Sequence, residues 1–327
     1  MLGVALRIIL LFLLLIIFSG SVFSISVNNI KLYTIGEIRV FYSNDINSKY
    51  YIVNQKDENN NKIPDYVENI AIQANATIDI FSALGLIKPL DNSRYKKVVK
   101  YIDIHLVDTK YNGLAYEMPT LWKRSNIKGN RPALLILVNH NLKNFPGNYW
   151  TTVTHELFHL YQYGYSQFKG GWYLEGMANW SERALRLGAV GRGGDRLLPQ
   201  NEQELQQVFN TSYNHLWHRL AILSDTSNGK LEIPKSLLNR TYVDGTKVFK
   251  DDQWKGYRFM KKFLENLEIM SNRISVEKKR DPYFWSEKDQ ISKENRKIIL
   301  KVIQQTMLEF DMNKTDEERN FLRLKVD

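Results

Sequence analysis

Cysteine is absent from all 327 residues, which rules out disulfide stapling and cysteine-ligated zinc. Beyond Ile25 no apolar run is long enough to span a membrane. The glycine-rich stretch Gly188-Ala189-Val190-Gly191-Arg192-Gly193-Gly194 lacks the Gly-Lys-Ser/Thr ending of a phosphate loop. It carries no nucleotide site and reads as a flexible linker. No internal repeat is found, so repeat architectures are excluded.

What is present is a chain rich enough in apolar residues, at 43%, to build a sizeable core in one large or two modest domains. Residues 1–24 read as a signal peptide: Arg7, then the apolar Ile8 to Phe18, then small or neutral residues, with Val22 and Ser24 at the cleavage positions. The alternative is an uncleaved membrane anchor. Either way the expected location is secreted or extracytoplasmic. The net charge is +10, with small basic clusters at Arg94 to Lys100 and Lys278 to Arg280. On an exported chain this points to a solvated surface, to anionic cell surfaces or to acidic substrates rather than to nucleic acid. N-x-S/T sequons occur at Asn75, Asn179, Asn210, Asn239 and Asn313.

The strongest signal is His155-Glu156-Leu157-Phe158-His159, set in a helical pattern that runs from Thr151 to Tyr163 with Gly164 as its expected C-cap. On a helix the i and i+4 imidazoles share one face, and Glu156 projects beside them. Two neutral imidazoles suit zinc, and the glutamate can take a proton from a water. A bare match of this kind turns up in on the order of one chain in a hundred, so a third ligand decides its weight. Glu175 offers it, in Gly171-Trp172-Tyr173-Leu174-Glu175-Gly176-Met177-Ala178-Asn179-Trp180-Ser181-Glu182. A second helix from about Trp172 to Leu187 would return antiparallel and present that carboxylate. Glu182, two turns on, and Asn179, one turn on, compete as the group that orients a ligand histidine.

H-E-x-x-H followed by W-x-x-E-G-x-A-x-W-x-E resembles the gluzincin clan of zinc metallopeptidases. The second helix is similar to that of the alanyl-aminopeptidase family, where the ligand Glu is followed by Gly and, seven positions on, by another Glu. Fifteen residues separate His159 from Glu175, a shorter connector than the aminopeptidases have. Their exopeptide-anchoring G-x-M-E-N is reduced to a faint echo in Gly113-Leu114-Ala115-Tyr116-Glu117-Met118. The thermolysin-type second helix does not match. Gln162 and Tyr165 stand where metzincins place the glycine and the third histidine. The nearer resemblance is to a less studied group of secreted prokaryotic metalloproteases, which carry a D-x-N-x-N-x-x-P-D-Y-V-E segment upstream of a short gluzincin site.

That segment is present as Asp57-Glu58-Asn59-Asn60-Asn61-Lys62-Ile63-Pro64-Asp65-Tyr66-Val67-Glu68. Side-chain oxygens fall at positions 1, 3, 5, 9 and 12 (Asp57, Asn59, Asn61, Asp65 and Glu68), with the Ile63 carbonyl at position 7. This is the ligand order of a calcium loop, although Lys62 replaces the usual glycine. The competing reading is an Asn-rich turn closed by Asp65 as helix N-cap and Glu68 as capping box.

The expected fold is α+β. A zincin-like catalytic domain over 25–187 holds a small mixed sheet, the H-E-x-x-H helix and the Glu-ligand helix. A linker at 188–200 joins it to a mostly helical lobe over 201–327. Strands are expected within 30–42, 98–107 and 133–138, and helices over 65–84, 201–210, 213–225, 252–267 and 292–311. The strand nearest the site should align an extended peptide by its edge. The resemblance implies a secreted zinc peptidase acting on proteins or peptides, with Glu156 as general base. It also implies an oxyanion donor from the downstream lobe: Tyr213 or Tyr257, with His215 and His218 also in reach of the pattern. His105 and His140, on or beside strands, read as structural. The alternatives are an aminopeptidase-like or other small-substrate zinc hydrolase, and a non-catalytic surface-binding protein on the same scaffold.

Overall fold

The computed structural model describes residues 29–121, 132–147, 150–186, 192–227, 229–231 and 234–326. The expected leader lies outside them, as does the start of the linker. Among the described residues no helix is long and apolar enough to cross a membrane.

The five strands are β1 (Lys31–Ile35), β2 (Ile38–Tyr42), β3 (Ile102–Val107), β4 (Gly113–Thr120) and β5 (Ala133–Asn139). They form one mixed sheet in the order β1-β2-β3-β5-β4. The β1–β2 hairpin closes Ile35 onto Ile38 across two residues, and Gly36 supplies the left-handed φ of +57° that such a turn needs. β2, β3 and β5 run parallel, and β2 is buried at every position, the mark of a strand covered on both faces. β4 turns back antiparallel on β5 and forms an edge. It alternates between half-buried and exposed and tolerates Pro119, as edge strands do. The sequence pattern did not predict it, because Gly113 and Pro119 dilute the strand signal.

Helix α1 (Asp65–Ala83) crosses the sheet. α2 (Thr152–Tyr165) and α3 (Gly171–Ser181) are the two helices expected to bear ligands. Gly164 is not a C-cap. It lies inside α2, where Asn92 packs so close that a Cβ would sit 3.2 Å from its amide, and the helix ends instead where Ser166 turns extended. α3 stops at Ser181, short of Leu187, and the chain tightens into a 3-10 turn at Arg183–Leu185.

The chain continues as α4 (Glu202–Phe209), α5 (Leu216–Leu223), α6 (Lys235–Leu238), α7 (Tyr257–Glu277), α8 (Glu287–Gln290), α9 (Glu294–Glu309) and α10 (Asp316–Arg323). The described end of the expected linker is held rather than free. Arg192–Asp195 forms a 3-10 turn, Gly194 lies against Ile222 of α5, and Arg219 donates to the Gly194 carbonyl at 3.0 Å.

Two hydrophobic cores result. One fills the space under the sheet with Ile38, Val40, Ile102, Ile104, Leu134 and Ile136, against Ile70 and Ala74 of α1 and Leu157 and Leu160 of α2. The other joins the far faces of α1 and α2, through Ile80, Phe81, Phe158 and Tyr161, to α3 and the C-terminal helices. α1 and α2 therefore bury two faces each. Phe81 sits at the junction, edge-on to Phe158 and Tyr161 at 5.5 and 5.1 Å and tilted against Trp254 at 5.6 Å. Replacing Phe81 by Ala should lower unfolding free energy by about 3–5 kcal/mol in urea titration. A loss below about 1 kcal/mol would mean that this ring does not tie α1 and α2 to the C-terminal helices.

Candidate metal centre

α2 places His155 and His159 one turn apart, with their rings edge-on and centroids 4.8 Å apart. α3 brings Glu175 to the same face. Its Oε2 lies 3.0 Å from His155 Nε2 and its Oε1 lies 3.5 Å from His159 Nε2. One ligand atom from each of these three residues lies within 4.8 Å of the others, a group that could hold a metal ion. Glycine follows Glu175 for a packing reason: a Cβ on Gly176 would fall 2.5 Å from Trp217 Cδ1 and 2.9 Å from the Asn214 amide. α5 thus settles directly on the turn of α3 that carries the carboxylate.

The outward ring nitrogens are held separately. His155 Nδ1–H donates to Glu182 Oε1 at 2.6 Å. The other oxygen of Glu182 accepts from the Thr151 hydroxyl at 2.5 Å and from Arg186 at 2.6 Å. His159 Nδ1–H donates to Gln162 Oε1 at 2.9 Å, and the Gln162 amide donates to the Leu174 carbonyl at 3.2 Å. Both Nε2 atoms are thereby aimed at Glu175, the division expected where a second group fixes each imidazole. Of the two competitors for the orienting role, Glu182 reaches a histidine and Asn179 does not; Asn179 Oδ1 accepts from His218 Nε2 at 2.9 Å. Sequence reading missed Gln162 as a partner, although its place three residues after His159 puts it on the right face.

Glu156 is pinned from the sheet side. Its carboxylate accepts from the Ala115 N–H of β4. Gly113 leaves it room, because a Cβ there would lie 2.5 Å from Glu156 Cγ. The faint G-x-M-E-N echo is therefore the strand that passes the site, but its glutamate does not face the cleft. Glu117 is half-buried and bound by Arg94 at 2.5 Å, by Lys169 and by Gln290 at 2.6 Å.

Electrostatics follow from this packing. Burial pulls the His155 ring down, but hydrogen bonds to Glu175 and Glu182 outweigh it and raise its pKa to about 10. Burial and the neighbouring His155 charge push His159 down to about 4, leaving a neutral imidazole. Burial, with Glu175 and Glu182 adding repulsion, raises Glu156 to about 7. For Glu175 and Glu182 burial acts upward and is overcome by the bonds to His155, so both stay below the ordinary carboxylate range.

These groups line a cleft of about 950 Å³ with Tyr111, Leu114, Trp150 and Tyr163 on its walls. Tyr163 stacks on His159 with centroids 6.1 Å apart, and Tyr213 lies 6.3 Å from the His155 ring and hydrogen-bonds Glu175. The other expected donors lie elsewhere. Tyr257 opens α7, packs on the helical core and accepts from Arg258 Nε at 3.0 Å. His215 bonds the Leu197 carbonyl at 3.0 Å, and His218 is buried against Arg183 and Asn179. His105 contacts Tyr50 and Phe41, and His140 the Tyr51 carbonyl, so both serve packing.

The Asp57–Glu68 loop is drawn together as well. Asp57 accepts from the N–H of Asn61 and Lys62, and Asn61 Oδ1 from that of Ile63. Glu68 accepts from the amides of Asn59 and Asn61 at 2.9 and 2.8 Å. Lys62 adopts φ +71°, the left-handed turn at the position where glycine was expected. Asp65 is not the N-cap. Pro64 holds that place, and the Asp65 carboxylate accepts from Glu58 N–H across the loop, so no capping box forms.

No protein-family model, curated protein or solved structure matches the chain.

Glu182→Gln should weaken metal binding about 10- to 100-fold in a chelator competition, while Asn179→Ala shifts it by less than about threefold. Equal effects would remove the assignment of Glu182. His218 gives a pH signature. Burial and Arg183 hold its pKa down at about 4 against an ordinary 6.5, so the folded state binds fewer protons than the unfolded one between those values. This contribution is complete above pH 6.5 and is lost as pH falls towards 4, at up to roughly 1.4 kcal/mol per unit. His218→Gln should flatten that slope relative to wild type in denaturant titrations, and parallel slopes would refute it.

Proposed function

We infer that the chain is a zinc metallopeptidase of zincin-like build that hydrolyses internal peptide bonds, with Glu156 as general base. The observation that carries the reading is the grouping of His155, His159 and Glu175 beside a carboxylate that is not part of the group. Two imidazoles and one carboxylate are the donor set of a catalytic zinc, which keeps one position open. Support also comes from geometry, since the Glu175 and Glu182 carboxylates converge on His155 from its two ring nitrogens, surroundings that favour positive charge. Glu175 and the two Nε2 atoms would hold the ion, and Glu182 and Gln162 would keep those nitrogens pointed inward.

When bound, zinc would polarise the scissile carbonyl and acidify a water. Glu156 would accept a proton from water in the cleft and return it to the departing amine, a relay suited to a carboxylate whose burial brings it near neutrality. Ala115 N–H keeps the carboxylate turned into the cleft. Of the expected donors Tyr213 alone lines the cleft, which supports it as the group that would donate to the oxyanion once released from Glu175.

Internal cleavage is favoured over an aminopeptidase by the inventory of the cleft. Among the described residues its carboxylates are Glu156, Glu175 and Glu182, all engaged at the centre. None remains to anchor a substrate ammonium, and Glu117 is tied to Arg94 and Lys169. On its ligand order the Asp57–Glu68 loop is a candidate calcium site, and its residues do not line the cleft, so an ion bound there would act on the fold rather than on the reaction.

Glu156→Gln should retain stoichiometric zinc and lose about 10²- to 10⁴-fold in kcat on a casein or peptide-library digest. Chelation should abolish the wild-type activity, and added zinc should restore it. A variant that cleaves at the wild-type rate would end the assignment of Glu156. A folded wild type that takes up no zinc would end the reading itself.

A further inference from the structure

The metal cleft is not the whole of the groove system. A second groove of about 470 Å³ opens on the other side of Tyr213. Tyr213 lines both spaces, so they meet along one exposed ring. That ring's centroid is 6.3 Å from the His155 ring. An extended chain advances about 3.3 Å per residue, so a peptide leaving the metal centre reaches the far side of Tyr213 within two to three residues.

The second groove has an apolar wall and a polar end. Leu197 and Val208 supply the wall. Its one carboxylate, Glu204, is engaged by its own loop: Oε2 accepts from Gln200 N–H and Oε1 from the Asn201 amide, both at 2.8 Å. Arg196 is different. It lines the groove, is exposed, and among the described residues has no carboxylate partner. Gln207 lines the same space and offers an amide donor. A guanidinium above an apolar wall, with a neutral donor beside it, is a receptor for a carboxylate on a short methylene stem.

We propose that this groove is a substrate subsite for an acidic residue, bound through its carboxylate by Arg196 two to three positions from the cleaved bond. The proposal rests on the peptidase reading, since it takes the peptide to run through the metal cleft. It gives the chain's +10 charge a use in gathering acidic substrates. The carboxylate can come from a Glu or Asp side chain or from a free chain terminus.

Binding tests the groove separately from cleavage. The full chain bearing Glu156→Gln, loaded with zinc, is titrated against fluorescein-labelled eight-residue peptides and followed by anisotropy. A single Glu is moved stepwise through a Gly-Ala background. Each peptide is paired with one carrying Lys at that position, and each is made with an amidated and with a free C-terminus. At one or two positions Glu should bind at least about tenfold more tightly than Lys, and adding Arg196→Glu should reverse the preference. Arg196 is exposed, and a thermal melt checks that the variant is folded. A preference confined to the free-terminus set identifies the chain terminus as the source of the carboxylate. Absence of binding, equal binding of Glu and Lys, or a preference that survives Arg196→Glu would each overturn the subsite. Digestion of the same peptides by wild type decides the other question. Arg196-dependent binding without any cleavage would fell the peptidase reading and leave the groove as a carboxylate-binding site only, and cleavage without an Arg196-dependent preference would fell the subsite alone.

Discussion

Helix α2 is buried on nearly every side and yet carries three ionisable groups, and the rest of the site answers to that constraint. Its apolar positions face two cores, so His155, Glu156 and His159 have little water to solvate them. A buried charge without a partner costs several kcal/mol. Each group therefore takes a partner from a different element: Glu182 from the end of α3, Ala115 from the sheet edge, and Gln162 from the next turn of α2 itself. Satisfying these three side chains fixes where α3 and β4 must lie.

The same contacts shape the candidate metal group. The bonds that make burial tolerable are those that point both Nε2 atoms at Glu175, and the strand that holds Glu156 is the one whose glycine admits it. The arrangement is asymmetric in charge. His155 stands between two carboxylates and holds a proton, whereas His159, with a neutral amide on its outer nitrogen, does not. A cation entering the group would compete with one proton, on one ring.

How much of this could be read from the sequence depends on how local each cause is. The i, i+4 histidines, the Glu between them and the Glu-Gly of the next helix follow from helical periodicity, and the structure does bring those residues together. The mixed α+β plan was legible for the same reason: β5 is an apolar run, β2 and β3 are rich in β-formers, and α1 is periodic. β4 was not legible, because its strand character comes from pairing with β5 rather than from its own residues. Nor was the choice between Glu182 and Asn179, since both lie on the same face of α3 and only the position of His218 on α5 removes Asn179. Tyr257 and Tyr213 looked equivalent as isolated aromatics. Packing of α7 into the helical core takes Tyr257 away, and the turn before α5 leaves Tyr213 at the cleft. The linker at 188–200 looked flexible from its glycines, but Gly194 is there to let Ile222 in.

The contact between Gly176 and Trp217 also has a consequence in time. Synthesis runs from N- to C-terminus, so His155, Glu156, His159 and Glu175 are all made before Trp217. The ligand-bearing turn of α3 rests on α2 through Gln162 and the Leu174 carbonyl, but its outer side stays uncovered until α5 arrives, and Phe81 waits for Trp254. The residues of the centre are translated together near the middle of the chain, but their scaffold is finished only near its end. A chain cut before α5 would then carry the full motif without the assembled group.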